Sequence, residues 1–522
     1  MAVTTVAQST VFEAPLESAQ TYVNPPAEVS VRILLTGPKD TRRSVEAFWD
    51  GDRAWRFRFA PDVTGKWRWR SECSNRADQG LHGRRGTFVC TAYRGDNPVF
   101  ARGSLKLSEN RRHIVDAAGK PFFWLADTAW NGVLRASEED WDFYLKTRRE
   151  QGFTVVQFVC THWRGLTKDA YGETACTGGQ PIRINPAFFQ RLDRKVAMVN
   201  ESGLVGAPVV LWALGEGDPG FSLTTEDATL LARYIVARWG AHQVVWLLGG
   251  DGNFGPQVAD KWRHIGRTVF AERHDRLVTL HPCGRHWPVD QYREEFWYDL
   301  VGYQSSHSAG EDTMRWLCQG PPAVDWRRAP PRPFINLEPN YEAHPPFDGR
   351  KQPFTDYEVR RAVYWSLLNA PTAGVTYGHN WIWPWHDAPA VPEGHGGLGV
   401  VGPWREAIQS PGTQSMVVLR RFFSGIEWWR LRPAQELLAE QPGEREAKRF
   451  IMAAASEKGE LAVVYTPIDP VLLRAEGLRR PIAAIWFDPR KGQTSRAGEI
   501  AQGVTRFEPP GEGDWILCLR AK

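Results

Sequence analysis

Short apolar segments alternate with amphipathic helical segments from about residue 120 to residue 424 of this 522-residue chain. Strong helix starts follow Ser137, Thr224 and Thr355, each of which can cap the backbone of the helix that it precedes. The apolar segments are too short for helices and lie at residues 122–126, 154–159, 207–212, 243–248, 277–280, 301–303, 333–337 and 374–377. Eight strand–helix steps over about 300 residues predict a (β/α)8 barrel, the TIM barrel.

A doubly wound open sheet is the competing fold for alternating strands and helices. Such a sheet would normally carry a glycine fingerprint at its first turn, but the first strand here continues as Leu125-Ala-Asp-Thr-Ala-Trp130. The glycine-rich stretch 249–255 has neither the dinucleotide-binding nor the Walker spacing. The barrel is therefore the favoured fold.

Both flanks of this region have the alternating pattern of half-buried β-strands. Examples are residues 29–35, 54–59 and 66–70 before it, and 461–465, 482–487 and 515–519 after it. Short alternating strands separated by turn residues favour β-sandwiches. The predicted fold class is multidomain α/β plus all-β: an N-terminal β-sandwich (1–104), a central (β/α)8 TIM barrel (105–426) and a C-terminal β-sandwich (427–522).

Charge and hydropathy argue against nucleic-acid and membrane partners. The net charge is only +4 and the Lys and Arg residues are scattered. No stretch of 18 apolar residues occurs, and the first residues lack a basic region followed by an apolar one. We expect a cytoplasmic protein as the sequence is written, or a periplasmic or secreted one if a leader is missing. The oligomeric state is left open.

The seven cysteines form no CxxC pair. Cys73 and Cys90 could bridge two strands of the N-terminal sandwich, and most of the others are expected to be free buried thiols. The segment from His281 to His286 contains possible metal ligands, but a third and fourth ligand at a recognised spacing are missing. We therefore expect neither a metal nor a cofactor.

Two carboxylates are the strongest catalytic candidates. Asp251 ends the fourth strand in Leu-Leu-Gly-Gly-Asp, and Glu338 ends the seventh in Asn-Leu-Glu-Pro. In a barrel of parallel strands the carboxyl ends meet at one mouth, so these two side chains can face a common pocket. A pair of carboxylates cleaves glycosidic bonds, with retention at a separation of about 5–5.5 Å and inversion at about 6.5–9.5 Å.

Polar and aromatic residues at the other strand ends predict a sugar-binding ring, with Asp127, His281 and Gln304 the first candidates for binding hydroxyl groups. The chain has 25 Trp, of which we assign about half to the core. Others, such as Trp381, Trp383 and Trp385 in a Pro- and Gly-rich loop, can stack on sugar rings. The full predicted substrate-binding set is Asp127, Trp130, Gln157, His162, Trp163, Trp212, His281, Gln304, His307, Tyr377, Trp381 and Trp383.

Several motifs resemble those of apiosidase-like glycoside hydrolases. They are Asp116 to Trp130, Gly152 to Gln157, Trp246 to Asp251 and Asn336 to Glu342. The flanks resemble the N-terminal β-sandwich module and the C-terminal module, labelled as collagen-binding, that accompany this barrel. The resemblance implies a retaining, metal-free mechanism in which Asp251 is the acid/base and Glu338 the nucleophile. Characterised members release apiose from rhamnogalacturonan II.

The sequence therefore predicts a glycoside hydrolase that acts on an oligo- or polysaccharide of plant or microbial origin. One alternative is a non-catalytic carbohydrate-binding or scaffold protein built on an inactive barrel. Another is an esterase or lyase on the same barrel, although no nucleophile or base set for it is identifiable. Turnover of aryl glycosides and pectic oligosaccharides separates the hydrolase from the binding protein.

Overall fold

A computed structural model describes residues 4–271, 276–479 and 481–521. The elements of the N-terminal part are β1 (Thr5–Ala7), β2 (Phe12–Glu17), α1 (Pro25–Glu28), β3 (Val31–Thr36), β4 (Arg42–Glu46), β5 (Phe48–Trp49), β6 (Ala54–Phe59), β7 (Gly65–Cys73) and β8 (Arg85–Thr91). They form a sandwich of two β-sheets with strand orders β1-β8-β7-β3-β4 and β2-β6-β5. The strands alternate buried and exposed residues, as β2 does, and the inner faces pack aromatic side chains such as Phe57 and Phe88.

The predicted Cys73–Cys90 bridge is wrong. Cys90 on β8 lies opposite Gly65 at the start of β7, whereas Cys73 ends β7 opposite Val31 of β3. Eight residues of extended strand, about 26 Å, separate the two positions along β7. All seven cysteines are free thiols.

A connecting segment and the central barrel follow. The segment contains α2 (Pro98–Arg102), β9 (Lys106–Leu107), β10 (Ile114–Val115) and β11 (Pro121–Phe122). The strands of the barrel region are β12 (Trp124–Thr128), β13 (Val155–Val159), the hairpin β14 (Cys176–Thr177) and β15 (Arg183–Ile184), β16 (Val205–Trp212), β17 (Trp246–Gly252), β18 (Val278–Pro282), β19 (Val301–Gln304), β20 (Phe334–Glu338) and β21 (Gly374–Tyr377). Its helices are α3 (Gly132–Arg135), α4 (Glu138–Glu150), α5 (Pro186–Glu201), α6 (Pro219–Ser222), α7 (Thr225–Trp239), α8 (Ala259–Val269), α9 (Val289–Tyr292), α10 (Glu311–Gln319), α11 (Pro321–Val324), α12 (Asp356–Leu368), α13 (Trp404–Ala407) and α14 (Pro411–Ser424).

Eight parallel strands form the ring, in the order β18-β17-β16-β13-β12-β21-β20-β19. The seam between β18 and β19 is closed partly by a side chain. The Thr279 hydroxyl donates to the carbonyl of Leu300 (2.7 Å) and accepts from the amide of Gly302 (3.1 Å). All eight predicted strands are confirmed, and so is the TIM-type fold.

Helix starts agree with the capping signals in the sequence. Ser137 accepts a hydrogen bond from the Asp140 amide at the start of α4, and Thr224 does the same for α7. Thr355 and Glu358 form a reciprocal capping box on α12. These caps fix where each helix begins after its strand–helix loop, and therefore how long the loops at the barrel mouth are.

The strands of the C-terminal part are β22 (Leu431–Pro433), β23 (Met452–Ser456), β24 (Leu461–Thr466), β25 (Val471–Arg474), β26 (Ile482–Phe487), β27 (Thr494–Glu499), β28 (Val504–Phe507) and β29 (Trp515–Ala521). They form a second β-rich module, with a sheet of order β22-β23-β24-β29-β26-β27 and a β25–β28 pair. A buried ion pair between Arg360 on α12 and Asp514 (2.7 Å) joins this module to the barrel.

No helix within the described residues has the length and apolar character needed to cross a bilayer.

Candidate active site

Asp251 occupies an irregular end of β17. The pairing of β17 with β18 shifts register on both sides of Gly250, and Asp251 has a positive φ of 50°. Such bulges re-aim a side chain, and a left-handed conformation at a non-glycine residue costs about 1–3 kcal/mol and recurs at functional sites. Gly250 is required by packing, because a Cβ there would lie 2.5 Å from Val209 and 2.7 Å from Trp212.

Glu338 ends β20, and two histidines lie against its carboxylate. His307 Nε2 lies 2.8 Å from one carboxylate oxygen, and His281 Nε2 lies 3.2 Å from the other. The Tyr341 amide donates to His307 Nδ1, so the proton of His307 is on Nε2 and is donated to Glu338. The Glu338 carboxylate is thus held in one orientation with an N–H group directed at it.

The surroundings shift the pKa values of Asp251 and Glu338 in opposite directions. Burial, reinforced by the negative charge of Glu338, raises the pKa of Asp251 to about 7. Burial alone would also raise the pKa of Glu338, but the contacts with His281 and His307 hold it well below its usual value. Asp251 is therefore protonated below about pH 7, while Glu338 is ionised.

Arg164, which the sequence analysis did not single out, joins Asp251 to two loops. Its guanidinium lies 3.6 Å from the Asp251 carboxylate and 3.3 Å from His395 Nε2 in the loop after β21. Its amide donates to the buried Asp218 in the loop after β16 (2.9 Å). Arg164 thus places a positive charge beside the acid with the raised pKa.

An aromatic cluster lies beside the two carboxylates. Trp130 makes edge contacts with Trp212 (5.2 Å between centroids) and with His281 (5.5 Å). Trp163 packs on Trp212 (4.4 Å) and contacts Trp383 (6.0 Å). The buried indole nitrogen of Trp212 has no hydrogen-bond partner among the described residues. The structure thus brings together five residues of the predicted substrate-binding set, but the four tryptophans among them are at most 3% exposed. Their ring faces pack on one another and are not open to a sugar ring.

Asp127 and Tyr377 require a correction, because their side chains lie outside the ring of strands and not beside Asp251 and Glu338. They are register partners on β12 and β21 and point outward to the helices. The Asp127 carboxylate accepts hydrogen bonds from Arg148 and Tyr144, both at 2.6 Å, and is fully buried. The Tyr377 hydroxyl donates to Glu342 (2.6 Å). Both residues belong to a polar network that attaches helices to the barrel.

The other predicted residues have different positions. The buried Gln157 spans the barrel interior, bonded to the Leu337 carbonyl and the Thr376 hydroxyl, so its amide is already occupied. Gln304 is the register partner of Glu338, and its buried Oε1 has no partner among the described residues. His162 accepts from the amide of Ala175 within its own loop.

The tryptophans of the loop after β21 differ in how deeply they are buried. Trp385 stacks on Trp404 with centroids 4.4 Å apart and is buried, so the sugar-stacking interpretation of Trp385 is wrong. Trp381 is half-buried and contacts His379, away from the cluster around Trp212.

Within the described residues, no three His, Cys, Asp or Glu side chains come together in a way that could hold a metal ion.

Two solved structures that resemble this chain are titled as glycoside hydrolases. One titled "Glycoside hydrolase" is 23% identical, covers 82% of this chain and 99% of its own, and has a TM-score of 0.71. A family 5 glycoside hydrolase from Bacteroides vulgatus is 21% identical, with coverages of 80% and 94% and a TM-score of 0.71. At these identities the likeness establishes the fold.

Matches to the sequence models of protein families establish the family of this chain. The model described as "Apiosidase-like, catalytic domain" matches residues 108–430, more than half of the chain. The chain therefore belongs to the apiosidase-like family and is a glycosidase. Residues 5–74 match a domain of unknown function, DUF5060, and residues 432–520 match the "Putative collagen-binding domain of a collagenase". No curated protein matches the sequence.

Proposed function

We propose that this enzyme cleaves a glycosidic bond with retention of configuration, using Asp251 as acid/base and Glu338 as nucleophile. The observation that carries the proposal is the position of the two carboxylates at the carboxyl ends of β17 and β20, with His281 and His307 against Glu338. Burial raises the pKa of Asp251, and the two histidines lower that of Glu338. One acid that keeps its proton near neutral pH, beside one that stays ionised, is the combination that glycosidic cleavage requires.

In the first step, the Glu338 carboxylate attacks the anomeric carbon while Asp251 gives its proton to the departing glycosidic oxygen. The C–O bond to the leaving group breaks as an ester bond to Glu338 forms. In the second step, Asp251 removes a proton from water, the water oxygen attacks the anomeric carbon and Glu338 is released as carboxylate. The N–H of His307 holds the nucleophile in place between the steps.

The substrate that we propose is an oligo- or polysaccharide of plant or microbial origin. Support comes from Gln304 Oε1, on the register partner of Glu338, and from the indole N–H of Trp212. Both are buried polar atoms without a partner among the described residues, and a sugar hydroxyl can hydrogen-bond to either. The family likeness makes apiose-containing pectic fragments the first substrates to test.

The test compares Asp251→Asn, Glu338→Gln and the control Glu109→Gln, which changes an exposed acid of the segment between β9 and β10. We expect Glu338→Gln to abolish hydrolysis and Asp251→Asn to lower it by about 10²–10⁴-fold, with unchanged thermal melting. Proton NMR of the first product should show the anomer of the substrate. Full activity of Glu338→Gln would overturn the nucleophile assignment, and an inverted first product would overturn retention.

A further inference from the structure

Phe347 is an exposed aromatic residue at the barrel mouth. It lies in the loop between β20 and α12, and its side chain is 67% exposed. Loops at this end of a barrel carry the substrate-binding groups. A single exposed apolar residue is ordinary by itself, so the significance of Phe347 depends on its position and contacts.

The loop around Phe347 is held in place. The amide of Phe347 donates to the carbonyl of His307 (2.8 Å), and the amide of Ala309 donates to the Asp348 carboxylate (2.8 Å). The loop is closed at its base by two hydrogen bonds: the Ala343 amide donates to the Phe354 carbonyl (2.9 Å), and the Phe354 amide donates to the His344 carbonyl (3.0 Å). The ring is therefore presented from an ordered backbone, which reduces the entropy lost on binding a ligand.

Phe347 is also continuous with the catalytic carboxylates. Its ring makes edge contacts with His307 (5.8 Å between centroids) and His344 (5.1 Å). His307 in turn donates to Glu338. Only one side chain therefore separates the exposed ring from the proposed nucleophile.

We propose that Phe347 is a platform for a sugar residue next to the one whose bond is cleaved. This inference rests on the proposed function and makes the substrate an oligo- or polysaccharide rather than a glycoside of a small alcohol. The amphipathic sugar ring packs its C–H face on the phenyl ring and keeps its hydroxyl groups in water. Tyr171, another exposed aromatic of the mouth loops (72%), instead contacts Arg191 (4.8 Å), which belongs to α5 and not to the residues around Glu338.

The test compares Phe347→Ala with Phe347→Tyr and the matched control Phe296→Ala. Phe296 is similarly exposed (58%) but precedes β19, at the opposite end of the barrel. The substrates are a rhamnogalacturonan II oligosaccharide and methyl apioside, which has no neighbouring sugar. We expect Phe347→Ala to lower kcat/KM about tenfold on the oligosaccharide only, and Phe347→Tyr and Phe296→Ala to leave it unchanged.

A binding measurement tests the proposed role of Phe347 independently of turnover. Calorimetry compares the affinity of Glu338→Gln for the oligosaccharide with that of Glu338→Gln/Phe347→Ala. A roughly tenfold weaker Kd in the double variant supports the platform whether or not the wild-type enzyme hydrolyses this oligosaccharide. Equal losses of kcat/KM on both substrates, or an unchanged Kd, would overturn it. Lack of turnover by the wild type together with a weakened Kd would count against the proposed reaction alone.

Discussion

Removal of the positive charge of Arg164 should raise the pKa of Asp251. The Arg164 guanidinium lies 3.6 Å from the Asp251 carboxylate and favours its ionised form. Arg164→Met removes this charge, so Asp251 will hold its proton to higher pH. Because Asp251 is proposed to act as a protonated acid, the basic limb of the kcat/KM profile should move upward from about pH 7.

The size of this effect follows from distance and exposure. Two unit charges at 3.6 Å attract by about 1 kcal/mol in a water-like dielectric and by about 5 kcal/mol at an effective dielectric constant of 20. The Arg164 side chain is 30% exposed, so solvent screening keeps the attraction near the lower value. About 1 kcal/mol corresponds to a pKa rise of roughly one unit.

The assay is a kcat/KM profile from about pH 4 to pH 10 for the wild type, Arg164→Met and Arg164→Lys. The lysine variant keeps a positive charge and should retain most of the wild-type profile. This comparison distinguishes the effect of the charge from an effect of altered loop packing. A basic limb that stays in place or moves downward in Arg164→Met would refute the reasoning.

Two further substitutions test which residues stabilise the fold and which position the catalytic acid. Asp127→Asn leaves the fully buried Arg148 without its counter-charge and should destabilise the fold by about 3–5 kcal/mol, seen as a lower melting temperature. Activity per folded molecule should persist, and a specific loss of activity without destabilisation would contradict this role. Gly250→Ala places a Cβ 2.7 Å from Trp212 and should lower kcat/KM by about 10²-fold through displacement of Asp251. Wild-type kinetics in that variant would show that the packing at Gly250 does not position the acid.

The barrel was predictable because its signals are local. Each strand is a short apolar run, and caps such as Ser137 and Thr355 mark the helices that follow. Asp251 and Glu338 were identifiable because a carboxylate directly after a buried strand has a defined position in a parallel barrel.

The direction of side chains on the strands was not predictable. Asp127 is buried on a strand whose two faces are both covered, so no alternation of polar and apolar residues shows which face points inward. Its partner Arg148 lies 21 residues away on α4, and nothing in the sequence marks this arginine as buried.

Residues that act through loops were missed for a related reason. Arg164 contacts His395, 231 residues away, and Phe347 contacts His307 across two different loops. Loop sequences have no hydrophobic period that could place such residues. Arg164 directly follows two predicted residues, His162 and Trp163, and this proximity was the available signal.

The assignment of Glu338 as nucleophile and Asp251 as acid/base is tested most directly by chemical rescue with azide. The substrate is an activated aryl glycoside, and NMR reports the configuration of the glycosyl azide formed. Asp251→Ala should give the azide with retained configuration, because azide replaces water in the second displacement, and Glu338→Ala should give the inverted azide, because azide attacks the substrate directly. The same configuration from both variants, or rescue of neither, would contradict the two roles.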